Sequence, residues 1–203
     1  LYTSGTTGRP KGVPRTHRNE LSAAVSQIAH NRYLFGESAL GVMPIYHTMG
    51  VRVLLSTALL NGKFVCVPTY DTEQVLGLIE SERVTTMFLV PTLYFDILRH
   101  PRIRTFDLSS LARIGYAGMT MTHALSEECF AVLRPDLFVN YYGSSEVYTL
   151  SFCDHLDVKP GCAGRPGLNQ ALRVVRADPD GSVSPDDVMP RGATGEIIAS
   201  LSS

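Results

Sequence analysis

Eleven consecutive residues near the N-terminus, Thr3-Ser4-Gly5-Thr6-Thr7-Gly8-Arg9-Pro10-Lys11-Gly12-Val13, combine hydroxyls, glycines and a lysine in a way that suits phosphate. Glycines let backbone N–H groups curl around an anion. The hydroxyls of Ser4, Thr6 and Thr7 can donate further hydrogen bonds, and Lys11 supplies positive charge. The bland alternative is a flexible Gly-rich turn. A Walker-type loop needs Gly immediately before its lysine and Ser or Thr immediately after it. Lys11 stands between Pro10 and Gly12, so an ordinary P-loop is disfavoured.

These residues need a scaffold, and the apolar periodicity supplies one. Leu21, Val25, Ile28 and Ala29 share one helical face behind a candidate Asn19 cap. A strand is expected at Ala39 to Met43, a helix around Val51 to Leu60 and a strand at Lys63 to Val67. Asp71 then opens a helix with Gln74 placed for a capping box. Val84 to Val90 reads as a strand, Thr92 to Arg99 as a helix, Ala112 to Tyr116 as a strand, Ser126 to Arg134 as a helix and Leu137 to Tyr141 as a strand. This alternation predicts an α/β fold: a mainly parallel sheet flanked by helices, with ligands beyond the carboxyl ends of its strands. From Gly161 onward Gly and Pro become frequent and the apolar runs shorten to Leu172 to Val175 and Glu196 to Leu201. We read residues 1–160 as the α/β unit and 161–203 as the beginning of a small antiparallel β sub-barrel. Asp178-Pro179-Asp180-Gly181 is most simply a hairpin turn. Both ends read as cut, with strand residues at Leu1-Tyr2-Thr3 and at Ile197 to Leu201.

Composition narrows the partners. In 203 residues the net charge is -1, with Lys and Arg scattered, so nothing invites nucleic acid. The apolar runs are too short and interrupted to cross a bilayer and no signal pattern opens the chain, so a cytoplasmic setting is expected. Four cysteines without a C-x-x-C pair indicate neither a disulfide framework nor a zinc knuckle. Cys153, His155 and Cys162, at irregular spacing, make a poor metal set.

The phosphate-loop candidate, together with Thr16-His17-Arg18-Asn19, resembles the signature loop of the adenylate-forming superfamily, in its acyl-CoA synthetase branch. Pro44-Ile45-Tyr46-His47-Thr48-Met49-Gly50 is similar to that family's histidine motif, and Asn140-Tyr141-Tyr142-Gly143-Ser144-Ser145-Glu146 to its Tyr-Gly-x-Thr-Glu motif, with serine in the threonine position. Tyr116-Ala117-Gly118-Met119-Thr120 falls where the family usually has Gly-Gly-Ala-Pro, and only Gly118 matches. Gly161-Cys162-Ala163-Gly164-Arg165-Pro166 and Gly192-Ala193-Thr194-Gly195-Glu196-Ile197 resemble the start of the family's sub-barrel.

The resemblance implies ATP-dependent activation of a carboxylic acid to an acyl-adenylate, with release of pyrophosphate, then transfer to CoA. ATP, Mg²⁺ and CoA are the implied cofactor and co-substrates. By this resemblance Thr3, Ser4, Gly5, Thr6, Thr7, Gly8, Lys11, Ala117, Gly118, Asn140, Tyr141, Tyr142, Gly143 and Ser145 form the ATP site. Asn140 can bond the adenine edge, Tyr142 can stack on the ring, the Ser145 hydroxyl can reach the α-phosphate and Glu146 can hold Mg²⁺. His47, Met49, Tyr116, Gly118 and Met119 would border the acyl pocket, and His47, Ser145 and Glu146 are the candidate catalytic residues. Two further family elements, an aspartate for the ribose and a mobile domain carrying the adenylation lysine, do not occur in these residues, so the fragment is expected to be inactive alone. A domain that feeds a carrier-protein thiol and a non-catalytic nucleotide-binding module remain the alternatives.

Overall fold

The computed structural model describes residues 1–3, 9, 11–177 and 181–201. Ser4, Gly5, Thr6, Thr7 and Gly8 of the phosphate-loop candidate, and residues 178–180 of the expected hairpin turn, lie outside the described residues. The loop's two flanks are strands β1 (Tyr2–Thr3) and β2 (Lys11–Gly12), an antiparallel pair in which Thr3 faces Lys11.

The N-terminal boundaries of the helices follow their caps. Helix α1 (His17–Asn31) is capped by Thr16, whose hydroxyl accepts from the Asn19 N–H at 3.2 Å, while the Asn19 side chain accepts from the Thr16 N–H at 3.1 Å. Thr16 therefore takes the cap position expected of Asn19, and Asn19 closes a capping box from the third helical position. After strand β3 (Ser38–Gly41), helix α2 (Thr48–Leu59) starts three residues earlier than its apolar pattern suggests, because His47 caps it. Strand β4 (Lys63–Cys66) leads to helix α3 (Thr72–Ser81), where the Asp71 carboxylate accepts from the Gln74 N–H at 2.8 Å. Strand β5 (Thr86–Leu89), helix α4 (Pro91–Arg99) with proline in its first turn, and strand β6 (Arg113–Ala117) follow. Helix α5 (His123–Leu133) also begins before the expected Ser126, since Thr122 caps it, and strand β7 (Leu137–Tyr142) completes the alternating part.

The main sheet has the order β4-β3-β5-β6-β7-β8-β9, where β8 is Ser151–Cys153 and β9 is Arg165–Pro166. Strands β4 to β7 are parallel, and β8 and β9 extend the sheet antiparallel. The α/β fold with a mainly parallel sheet is thus present. The sheet, however, runs past residue 160 to Pro166, because Arg165 and Pro166 pair with Phe152 and Ser151. A separate antiparallel pair, β10 (Gln170–Val175) and β11 (Glu196–Leu201), follows.

Strand β3 continues into β4 on one side of itself, and β4 then returns by way of α3 to β5 on the other side. The direction of winding therefore reverses between β3 and β5, and ligands bind in α/β sheets outside the carboxyl ends of strands at such a reversal. Both faces of the sheet are covered. Val75, Leu76 and Ile79 of α3, Tyr94, Ile97 and Leu98 of α4, and Cys129 and Leu133 of α5 pack with Ile114, Tyr116 and Phe138 on one face. Met49 and Val53 of α2 pack with Ala39, Phe88, Val139 and Tyr141 on the other.

Candidate functional site

Beyond the carboxyl ends of β3, β5, β6 and β7 lies a cavity of about 160 Å³. Its wall takes His47, Met49 and Arg52 from the start of α2, Phe88 from β5, Ala117 and Gly118 from the end of β6, and Tyr141, Gly143, Ser144, Ser145 and Tyr148 from β7 and the loop after it. Close backbone approach shapes the first part. A Cβ on Gly50 would come within 2.2 Å of the Pro44 carbonyl oxygen and 2.3 Å of that of Met43, so only glycine lets α2 start against the turn that follows β3. At the end of β6, Gly118 has φ +84, a conformation that side chains disfavour.

The His47 ring is fixed by the helix it caps. Its Nδ1 accepts from the Met49 N–H at 3.3 Å, which makes Nε2 the protonated nitrogen of the neutral ring. Ser144 and Val147 close the loop after β7: the Ser144 N–H donates to the Val147 carbonyl at 3.1 Å and the Val147 N–H to the Ser144 hydroxyl at 3.2 Å. Glu146 follows Ser145 and is exposed. Among the described residues no three His, Cys, Asp or Glu side chains converge as a metal site. A single carboxylate nevertheless fits Mg²⁺, which keeps several waters and is commonly held by one or two carboxylates plus substrate phosphates.

The sequence-derived site residues separate by strand alternation. His47, Met49, Ala117, Gly118, Tyr141, Gly143 and Ser145 share the cavity wall. Tyr116 does not. Its position on β6 turns it toward the α3–α5 face, where it is buried edge-on to Phe138 at 5.5 Å, and burial pushes its phenol up to about 12. Met119 is 54% exposed and also lies off the wall. Asn140 occupies the same side of β7 as Phe138, and its amide donates to the Cys162 carbonyl at 2.9 Å. Tyr142, on that side too, is an exposed ring that remains free to stack. Tyr141 is buried, with its hydroxyl accepting from the Asn31 amide at 2.7 Å, so it contributes a wall rather than an accessible hydroxyl. Thr3 and Lys11 sit on the β1–β2 pair.

A charged network escaped the sequence reading. Arg15 donates from Nε to Glu20 at 3.0 Å and from Nη1 to the Glu146 carbonyl at 3.3 Å, and its guanidinium lies 3.7 Å from the centre of the Tyr148 ring. The Tyr148 hydroxyl lies 2.8 Å from both Glu20 oxygens, and burial together with that carboxylate raises its pKa. The segment after the β1–β2 pair is thereby tied to the loop that carries Ser145 and Glu146. Arg52 is buried below, with Nη1 donating to the Thr149 hydroxyl at 2.8 Å and its guanidinium 5.2 Å from the Tyr141 ring. Burial lowers its pKa. The sequence held one signal for Arg52: it is the only charged residue in α2, and it falls on the same buried stripe as Met49, Val53 and Ser56.

Comparison with known proteins identifies the family. The family model described as "AMP-binding enzyme" matches residues 1–201. A feruloyl-CoA synthase of Amycolatopsis sp is 36% identical over 98% of this chain and 40% of its own length. A 4-chlorobenzoate–CoA ligase of Pseudomonas sp. (strain CBS-3) is 34% identical over 89% of this chain and 34% of its own length. The inhibitor-bound N-terminal domain of FACL13 from Mycobacterium tuberculosis superposes with a TM-score of 0.84 at 27% identity, covering 98% of this chain and 48% of that one. ATP-bound MatB from Rhodopseudomonas palustris gives a TM-score of 0.83 at 26% identity, covering 99% of this chain and 39% of that one. The chain thus spans about 40% or less of the length of these two curated relatives. Among the described residues no helix is long and apolar enough to cross a membrane. This chain belongs to the family of AMP-binding enzymes, and its similarity to acyl-CoA ligases extends over nearly all of its length.

Proposed function

We propose that the full-length polypeptide containing this chain activates a carboxylic acid with ATP and transfers the acyl group to CoA, in the cytoplasm. The observation that carries this reading is the single cavity walled by His47, Gly118 and Ser145, which follow three different parallel strands, β3, β6 and β7, beyond the carboxyl ends of the sheet. A carboxylate oxygen bonds to the α-phosphorus of ATP and pyrophosphate leaves. The CoA sulfur then bonds to the acyl carbon, AMP leaves, and the thiol gives up its proton.

In this reading the protein positions reactants and offsets charge, and no covalent enzyme nucleophile is needed. Lys11 and the hydroxyl- and glycine-rich segment from Thr3 to Gly8 are assigned to binding the phosphates. Ser145 donates to the α-phosphate, Tyr142 stacks on the adenine, and Asn140 reaches the base edge by leaving the Cys162 carbonyl. His47 and Met49 border the acid. Glu146 would hold Mg²⁺, which neutralises charge on the phosphates when bound.

Acid-dependent exchange of pyrophosphate into ATP, followed by CoA-thioester formation, tests the proposal in the full-length polypeptide. Glu146→Ala is expected to slow exchange by at least about ten- to two-hundred-fold, the value of one charge-assisted hydrogen bond, with partial recovery at high Mg²⁺. Unchanged exchange at every Mg²⁺ concentration removes Glu146 from the metal site. Absence of exchange with every acid tested removes the activity.

A further inference from the structure

Arg52 is a buried cation whose chemistry the surrounding protein does not complete. The residue lines the cavity, is 3% exposed, and spends Nη1 on the Thr149 hydroxyl. Its Nε and Nη2 are buried and have no hydrogen-bond partner. Among the described residues no carboxylate pairs with it, and its nearby aromatic partners are the rings of Tyr141 and Tyr148, 5.2 and 5.7 Å away. A buried cation without an anion is costly, and buried charges are normally paired.

The identity of the two unpartnered atoms is informative. Nε and Nη2 form one edge of the planar guanidinium, and their two parallel N–H bonds match the two oxygens of a carboxylate. Lysine could not offer that fork. Thr149 is bound at the other terminal nitrogen, so this buried edge has no protein partner.

We propose that the acid activated at this site is a compact dicarboxylate, whose second carboxylate, distal to the reacting one, is gripped by the Nε and Nη2 edge of Arg52. The proposal rests on the acid-activation reading above and narrows its substrate class. Size is compatible with it: the cavity measures about 160 Å³, below the roughly 300–1,000 Å³ common for pockets that take drug-sized ligands, which suits a compact acid. Burial agrees as well, since an anion bound away from water gains more from a fixed cation than an exposed one does.

The test uses the full-length polypeptide and matched acids: pentanoate with glutarate, hexanoate with adipate, and benzoate with terephthalate. Wild-type pyrophosphate exchange is expected to favour at least one dicarboxylate over its monocarboxylate partner by ten-fold or more in kcat/KM. Arg52→Met should lower that dicarboxylate by about ten- to two-hundred-fold, keep or raise the monocarboxylate, and leave the KM for ATP unchanged. Arg52→Lys should retain part of the preference, and it serves in place of the Met variant if that variant does not fold. A wild-type preference for monocarboxylates overturns the proposal. So does an equal loss on all acids in Arg52→Met, or a rise in the KM for ATP, either of which makes Arg52 a structural or phosphate-binding residue. If no acid supports exchange, the activation reading fails separately, and calorimetric titration with the three dicarboxylates decides. Binding that Arg52→Met abolishes supports the subsite, and no binding to the wild type removes it.

Discussion

The two faces of the main sheet are built to different rules. Under α3, α4 and α5, the buried residues are mostly Leu, Ile, Val and aromatic rings, and the buried Tyr94 hydroxyl lies 2.8 Å from the Gly115 carbonyl and 3.2 Å from that of Met87. Unpartnered buried atoms occur there too, on Ser110, Ser126 and His100, but none belongs to a fixed charge. Under α1 and α2, the interior instead holds Gln27, His30, Asn31, Arg52, Ser56 and Thr57, with free atoms on Gln27, His30 and Arg52. An unpaired hydroxyl costs little beside an unpaired guanidinium. The first face is organised to hold the sheet together. The second accepts a stability cost where the cavity lies, which is how binding sites differ from cores.

The largest expected effect tests the stabilising face. Leu76 is completely buried in α3, in the cluster on the face of the sheet away from α2. Leu76→Ala should lower stability by about 2–5 kcal/mol, through lost transfer energy and the void left behind. The urea midpoint of the domain should fall accordingly, while kcat/KM per folded molecule and the order of preference among acids stay within about two-fold. A changed acid preference would mean that the two faces are coupled.

A second test addresses the polar face through pH. His30 is buried against Phe152, with ring centres 3.9 Å apart, and its Nε2 accepts from the Leu168 N–H at 2.9 Å. Burial first, then the charges of Arg52 and Arg165, lower its pKa from 6.5 to about 4. The unfolded chain therefore takes up a proton at higher pH than the folded one. The folded state keeps its full stability above pH 6.5 and loses it progressively as pH falls toward about 4, by about 2–3 kcal/mol in all. In His30→Gln, stability measured by urea unfolding should lose most of its slope across this window. An unchanged slope would locate the acid sensitivity elsewhere.

The same contrast explains what the sequence could disclose. Apolar periodicity located the α-helices and strands from α1 to β7, because a face packed against a sheet needs a regular stripe, as Val75, Leu76 and Ile79 show. Helix starts were misplaced where a cap, not the stripe, sets them, as at His47 and Thr122. The motif segments around His47, Gly118 and Ser145 were legible because their residue types are unusual together, and they meet at one cavity. Which side chains of a motif face that cavity was not legible in the motif, since strand alternation sends Tyr116 and Asn140 to one side of the sheet and Tyr141 to the other. Arg52 was missed for a related reason. A lone charge in an apolar helix says that something is unusual, but its missing partner is visible only when Thr149 and Tyr141, about ninety residues away, are packed around it.

The smallest expected effect lies at the cavity wall itself. Gly118 has φ +84, and the nearest atom to an added Cβ would be Val90 Cγ1 at 3.7 Å, an ordinary contact. Space is therefore available, and conformation is the only obstacle. Gly118→Ala should destabilise the domain by about 1–2 kcal/mol, the cost of holding a side-chain-bearing residue at positive φ. Gly118→Asn should cost less, because asparagine tolerates that region better. The pair of urea midpoints separates the two causes: a loss that grows with side-chain size points to steric crowding, whereas recovery by the larger asparagine points to the backbone. Since Gly118 also lines the cavity, acid kcat/KM in the Ala variant should fall by more than its unfolded fraction explains. A fall that matches the unfolded fraction alone would make this turn part of the scaffold, like Leu76, rather than part of the proposed acid site.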